Sequence, residues 1–383
     1  MNCRQARKYK IFLQDSEVKR FIAWLASPFV LVSAAHAQSS VTLYGLLDVG
    51  LSYVSNEVGG HAIKAEDSIW TPSLWGIRGI EDLGGGYKTL FDLTSQFAVN
   101  TGAGIPGPNA DFNRQAFVGL EKEGIGRITF GQQYNLMADF LFFPPAKLDG
   151  AFMYGGLYNM RQGPFAALGI PQNPTGSFDF DQTGGTSRVS NSVKVTSATF
   201  DGLRFGALYG FGNTAGSLSA NNTVGFGVNY AIGGFGIGAA YNETRYAELN
   251  DGHDGIRNFG GGISQAIGAL YLNALYTNTR NTLTGGTVQA VQVGGLYPFD
   301  PFWRLGANYQ YMKGNAQLEN NRAQQITTAL QYSLSKRTTI YTEAVFQWTG
   351  GDVPGSHNAW INGEGPSNTD HQFIGRIGMQ TIF

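Results

Sequence analysis

The sequence predicts an all-β chain, a transmembrane antiparallel β-barrel of about sixteen strands with one long connection folded into it. Three observations carry that reading. Apolar and polar residues alternate with a period of two through most of the chain after Ala37. Many alternating segments run to 11 residues or more, where a tilted strand needs about 9–11 to cross a bilayer and globular strands average about 5–6. The links between segments are short and long by turns.

Composition agrees and removes the rivals. Glycine supplies 54 of 383 residues, 13% are aromatic and only 14% are charged, against usual values of about 7% Gly and about 25% charged. Disordered chains lack aromatics and carry high net charge, and no strict Gly triplet repeat supports collagen. After the N-terminal segment no run of about 18 apolar residues occurs, so membrane-spanning helices are excluded. A formal charge of −1 offers no basic footprint for nucleic acid.

The N-terminus reads as an export signal. Arg4, Arg7, Lys8, Lys10, Lys19 and Arg20 lead into an apolar stretch from Phe21 to Val32, followed by small residues ending Ala35-His36-Ala37. That order of basic, apolar and A-x-A segments predicts a secretory signal peptide over 1–37, cut after Ala37. The remaining barrel, 38–383, carries 20 Lys and Arg against 25 Asp and Glu, a net of −5. The single cysteine, Cys3, leaves with the signal, so no disulfide scaffold is available.

Strands are expected at about 40–54, 67–81, 85–100, 111–122, 125–135, 187–199, 202–213, 222–232, 234–247, 256–267, 269–281, 287–297, 302–314, 322–333, 337–350 and 370–383. In the last third, Leu305, Ala307, Tyr309 and Tyr311 alternate with Arg304, Gly306, Asn308 and Gln310. Ile340, Thr342, Ala344, Phe346 and Trp348 do the same against Tyr341, Glu343, Val345 and Gln347. Asp82-Leu83-Gly84-Gly85-Gly86, Glu123-Gly124-Ile125-Gly126 and Ile232-Gly233-Gly234 supply tight turns, and polar stretches near 55–66, 101–110, 248–255 and 351–369 supply the long links. Tight turns at one rim and long loops at the other describe an outer-membrane barrel. A soluble sandwich also alternates, but only a closed barrel pairs every backbone group of a strand in lipid.

One connection breaks the rhythm. Residues 136–186 are rich in Phe, Pro and Gly, and connections beyond about 12–15 residues are usually functional or disordered. Their aromatic content argues for order. Folded into the lumen, they would form a constriction that sets size exclusion, while charges at the narrowing set ion preference.

The sequence resembles a general diffusion porin of Gram-negative bacteria, most similar to the betaproteobacterial branch. The resemblance rests on Ser39-Ser40-Val41-Thr42-Leu43-Tyr44-Gly45, Gly76-Ile77-Arg78-Gly79-Ile80-Glu81-Asp82-Leu83-Gly84-Gly85-Gly86, Phe112-Asn113-Arg114-Gln115-Ala116-Phe117-Val118-Gly119-Leu120, Asn191-Ser192-Val193-Lys194 and the terminal Phe383. It spans nearly all of 39–383. The resemblance implies a homotrimer in the outer membrane, in contact with lipid and lipopolysaccharide, passing small hydrophilic solutes. It also implies that the last strand, ending in Phe383, is an assembly signal read by the barrel-assembly machinery. Basic wall residues would face acidic groups on the infolded connection: Arg114 and Arg188 match the wall positions, and Asp139 an acidic one.

Alternation sets Arg188, Ser190, Ser192 and Lys194 on one face with Val189, Val193 and Val195 opposite. Arg78, Asp92 and Lys194 are further lumen-lining candidates, as are Leu74 and Gln132, which stand where many relatives carry arginine. Thr94 replaces a glutamate. The basic wall is therefore expected to be thin, with weak selectivity of either sign.

No catalytic or cofactor motif competes. No G-x-S-x-G elbow is present, no His pair has zinc spacing, and Gly225-Phe226-Gly227 lies inside a strand rather than before a helix. No metal or cofactor is expected. Two other readings stay open. One is a solute-specific channel with Phe142, Phe143, Tyr154 and Tyr158 as a binding track. The other is a plugged barrel acting as an enzyme or adhesin.

Overall fold

The computed structural model describes residues 39–105 and 111–383; the expected signal peptide lies outside the described residues. Seventeen strand segments form one sheet. They are β1 Ser40–Glu57, β2 Gly60–Asp67, β3 Leu74–Gly84, β4 Tyr87–Gln96, β5 Gln115–Lys122, β6 Gly126–Tyr134, β7 Arg188–Ser197, β8 Leu203–Gly210 and β9 Thr223–Ile232. There follow β10 Phe235–Arg245, β11 Gly255–Ile267, β12 Leu270–Asn281, β13 Thr287–Pro298, β14 Trp303–Gly314, β15 Arg322–Ser333, β16 Thr338–Gly350 and β17 His371–Ile382. Every neighbour pair is antiparallel, and β1 closes on β17 from Leu46↔Ile382 to Val54↔Ile374. Gly45 and Phe383 then exchange backbone bonds of 3.1 and 3.0 Å, sealing the seam.

The barrel has sixteen strands, because β2 and β3 are halves of one. β1 pairs with β3 along Ser40–Leu46 and with β2 from Val49 onward. Sequence alternation predicts one strand over 67–81; the structure interrupts it at residues 68–73. Asp48 replaces the missing ladder bonds. Its carboxylate accepts from the backbone N–H groups of Ile69 and Trp70 at 3.3 and 3.4 Å, and its own N–H donates to Ser73 Oγ at 3.0 Å. Ser68 takes φ +64° to make the turn, and Ile69 and Trp70 are buried.

Alternation separates two surfaces. Ile263, Val293, Leu305, Phe346 and Ile377 stand exposed on the outer face, where lipid rather than water covers them. Asn258, Thr277, Gln292, Asn308, Gln310, Gln325 and Gln347 are buried on the inner face. The connection between β6 and β7 packs against most of them, and Gln347 bonds the backbone of Trp360 instead. The connection contains only short helical turns, at Ala138–Phe142, Ala151–Tyr154, Gly156–Asn159 and Ala166–Leu168.

A chain folded this way lacks ladder partners for its carbonyls, and buried carbonyls need donors. The wall amides supply them. Asn273 donates to Leu148 O at 2.6 Å, Gln310 to Asn159 O at 2.6 Å, Gln325 to Tyr158 O at 2.8 Å and Asn258 to Phe180 O at 2.8 Å. Apolar packing completes the seat. Leu136, Met137, Phe140 and Leu141 cluster with Val189, Leu208, Ala240 and Leu275, while Phe165, Leu168 and Phe180 cluster with Ile256, Val288 and Met312.

Candidate pore constriction

The inner connection packs against β9–β11 and β13–β15 and leaves open space beside the ends of β4 and β7. A cavity of about 1060 Å³ opens there, lined by Gln96, Arg114, Asp179, Thr186, Arg188 and Tyr246 among others. Arg114 immediately precedes β5 and its residue is 4% exposed. Its Nε donates to Tyr134 Oη at 2.8 Å and its Nη1 to Gln96 Oε1 at 2.6 Å. Arg188 opens β7, donates from Nη1 to Thr186 O at 2.5 Å and reaches the same Gln96 Oε1 at 3.4 Å. Two arginines thus share one neutral acceptor. Neither makes an ion pair among the described residues.

The route that brings Arg188 here differs from simple alternation. Gly131 lies opposite Ser192 and Gln133 opposite Val189, so residues 190 and 191 together oppose Gln132, and Asn191 takes φ +51°. This bulge reverses the parity. Val189 turns inward into the cluster with Leu136 and Leu208, and Ser190 is exposed.

Asp139 does not share the cavity of the two arginines. Its carboxylate meets Lys194 Nζ at 2.6 Å, and Lys194 also donates to Tyr134 O at 3.1 Å. The acidic residues lining the large cavity are Glu66, Asp67 and Asp179. Burial, and then the neighbouring Asp181 charge, push the Asp179 carboxyl up to about 7. Sequence reasoning missed Asp179, although Phe178-Asp179-Phe180-Asp181 concentrates acid inside an aromatic stretch.

Of the other candidates, Arg78 sits in register with Asp92, its guanidinium 5.0 Å from the Tyr44 ring. Asp92 accepts from Tyr44 Oη at 2.9 Å. Leu74 pairs in register with Leu46 and with Gln96, on the same face as Arg78. Gln132 is a correction. Alternation runs unbroken through β6, so Thr129 and Gln133 take the inner positions and hydrogen-bond each other. Gln132 lies on the opposite face beside Ala116, donating to Asn113 O at 2.7 Å and accepting from Ser190 Oγ at 3.1 Å. It does not line the lumen.

Three of the four rings of the aromatic track are buried, while Phe143 is half-buried and lines a cavity. Tyr154 and Tyr158 are fully buried and Phe142 nearly so. Tyr154 donates to Asn273, and Tyr158 Oη lies 2.7 Å from both Glu66 and Glu364 carboxylates. These rings anchor the inner connection and present no face to a solute.

The strongest anchor was not singled out in the sequence. Arg161 is 1% exposed and holds Asp149 and Asp181 in ion pairs, with Thr183 bonded to the same guanidinium. Its Nη1 donates to Gln292 Oε1 on β13 at 2.6 Å, and Thr277 on β12 donates to Asp181 at 2.7 Å. Burial opposes the guanidinium charge, yet the two aspartates hold it charged above its ordinary range.

The sequence profile described as Gram-negative porin matches residues 23–350. The chain belongs to the Gram-negative porin family. An outer membrane porin protein of Bordetella pertussis is 28% identical to this porin over 305 residues, 72% of this chain and 73% of that one. Among solved structures, the anion-selective porin from Comamonas acidovorans matches with a TM-score of 0.73 at 23% identity, covering 90% of this chain and 100% of that chain. OmpT of Vibrio cholerae, solved in a trimer form, gives 0.60 at 15% identity over 90% of this chain and 99% of its own. The porin is a multi-pass protein of the Gram-negative outer membrane. It is a water-filled channel for passive diffusion of small hydrophilic solutes and ions, not an enzyme.

Proposed function

We propose that this porin sieves solutes at a constriction formed by residues 136–186 and prefers anions there, with Arg114 and Arg188 as the charges that set the preference. The observation that carries the reading is the pair of arginines on one neutral Gln96 oxygen, with no ion pair to either among the described residues. Desolvated cations without a counter-charge attract mobile anions and repel cations at the narrowing. Lys194 and Asp139 neutralise each other and contribute little net charge. Arg78 and Asp92 stand opposite one another, and Leu74 adds none. The anion-selective character of the Comamonas acidovorans relative agrees with this preference.

The finer biology belongs to the same proposal. Residues 1–37 direct export and are removed after Ala37, leaving the barrel 38–383. The barrel functions as a homotrimer with one pore per subunit, embedded among lipid and lipopolysaccharide. Phe383 serves the barrel-assembly machinery as the terminal signal. Its ring covers Gly45 at the seam, which supports a role in closure.

A planar bilayer with a KCl gradient tests the charge assignment. The expected reversal potential has the sign of chloride permeation and moves toward zero or beyond in Arg114→Gln/Arg188→Gln. A cation-selective wild type, or an unchanged potential in the double variant, overturns it.

A further inference from the structure

Past the constriction, toward the short-turn rim, a second group of basic side chains is gathered from three adjacent strands. Arg127 lies near the start of β6, Lys194 in β7 and Arg204 near the start of β8. All three line a cavity of about 320 Å³ with Gln115, Thr129 and Phe143. Arg127 and Arg204 also line a neighbouring cavity of about 460 Å³ beside the turn residues Gly124 and Ala198. The two arginines therefore form the shared wall between the inner space and the short-turn mouth.

Their charges are not cancelled. Asp139, the carboxylate nearest the group, is engaged by Lys194 at 2.6 Å. Asp92 also lines the inner cavity but is bonded to Tyr44 and stands in register with Arg78. Glu121 lies between Lys88 and Arg127 in register and makes an ion pair with neither among the described residues. Arg127 makes no hydrogen bond or ion pair among the described residues. Arg204 donates only to Pro144 O, at 3.3 Å.

Arg204 is also held in place. Its guanidinium lies 4.7 Å from the centre of the Phe140 ring, and that ring occupies space which Cβ atoms on Gly206 and Gly227 would fill. A planar guanidinium fixed on a ring, with Nη1 on Pro144 O and its other donors unengaged among the described residues, is organised to meet an oxyanion.

We infer that Arg127 and Arg204 form a second anion-binding station on the short-turn side of the constriction, suited to small oxyanions such as phosphate or a carboxylate. The inference rests on the channel reading above but on different residues. An anion leaving Arg114 and Arg188 meets a further attractive site before the exit. An oxyanion that binds there reduces the flow of smaller anions through the pore.

The test uses the full folded porin, inserted from one side into a planar bilayer in dilute KCl, with inorganic phosphate added to each side in turn. Phosphate on the short-turn side should reduce the chloride current saturably. In Arg127→Gln/Arg204→Gln the half-blocking concentration should rise about tenfold or more, the loss of two charged donors. Arg114→Gln/Arg188→Gln should change the reversal potential and retain the one-sided block. An unchanged half-blocking concentration in Arg127→Gln/Arg204→Gln overturns the inference, as does block abolished by the other pair alone. If the porin shows no conductance, the channel reading fails separately. Phosphorus NMR line broadening of inorganic phosphate with the detergent-folded porin then decides the station: broadening lost in Arg127→Gln/Arg204→Gln supports it, and broadening retained refutes it.

Discussion

Replacing Arg161 with methionine, which keeps much of the volume and removes the charge, should loosen the inner connection. The substitution deletes both ion pairs and leaves Asp149 and Asp181 with side chains 1% and 0% exposed. Removing one partner of a buried pair costs about 3–5 kcal/mol, mostly as uncompensated buried charge. Each wall amide bond contributes about 1 kcal/mol by comparison, so losing Arg161 outweighs several of them.

The assay is single-channel recording of Arg161→Met at pH 7. Mean conductance and open-channel noise should exceed wild type. The reasoning fails if the variant matches wild type.

Three further outcomes follow from the same geometry. Because burial raises the Asp179 carboxyl to about 7, above its unfolded value, the docked connection is most stable below the unfolded pKa and loses that contribution as pH rises through about 7; proteolysis of the connection should increase from pH 6 to pH 8, and Asp179→Asn should flatten the change. Valine at Gly227 would place a Cβ 2.4 Å from Phe140 Cδ2, and overpacking of this kind costs about 1–3 kcal/mol; calorimetry should show a lower unfolding temperature. A Cβ at Gly45 would fall 2.2 Å from Phe383 Cζ, so Gly45→Val should unseat the terminal ring and slow barrel closure, read as delayed heat-resistant gel mobility during refolding.

The strands were legible because outer and inner faces demand opposite chemistry at every other residue, and Leu305 to Tyr311 states that demand without interruption. The break at 68–73 was not legible, since the group that satisfies its backbone is Asp48, on the neighbouring strand. The bulge at Asn191 escaped for a similar reason: one extra residue reverses which face Val189 takes, and asparagine at positive φ leaves little trace in an alternating run. Arg114 and Arg188 were found through the family pattern. Arg127 and Arg204 could have been found by parity alone, sharing faces with Thr129 and Gly206, but each is an isolated charge until the barrel sets β6, β7 and β8 side by side. The sequence leaves Tyr154 and Tyr158 open as part of a solute track because an aromatic ring suits both a binding surface and a packed core.

The amide seat of the inner connection has a consequence for how the pore meets changing surroundings. Asn258, Asn273, Gln310 and Gln325 carry no charge and do not titrate, and the ionic knot at Arg161 is sealed from water. Dissolved salt therefore has little purchase on the width of the bore. On the proposed charge assignment, the field of Arg114 and Arg188 acts instead in a solvated cavity, where the screening length shrinks from about 10 Å at 0.1 M salt to about 3 Å at 1 M. A cell moved from dilute to briny water would keep the same molecular sieve while its discrimination between ions of opposite sign faded. Calibre and charge preference are thus set by different chemistries and answer to different environments.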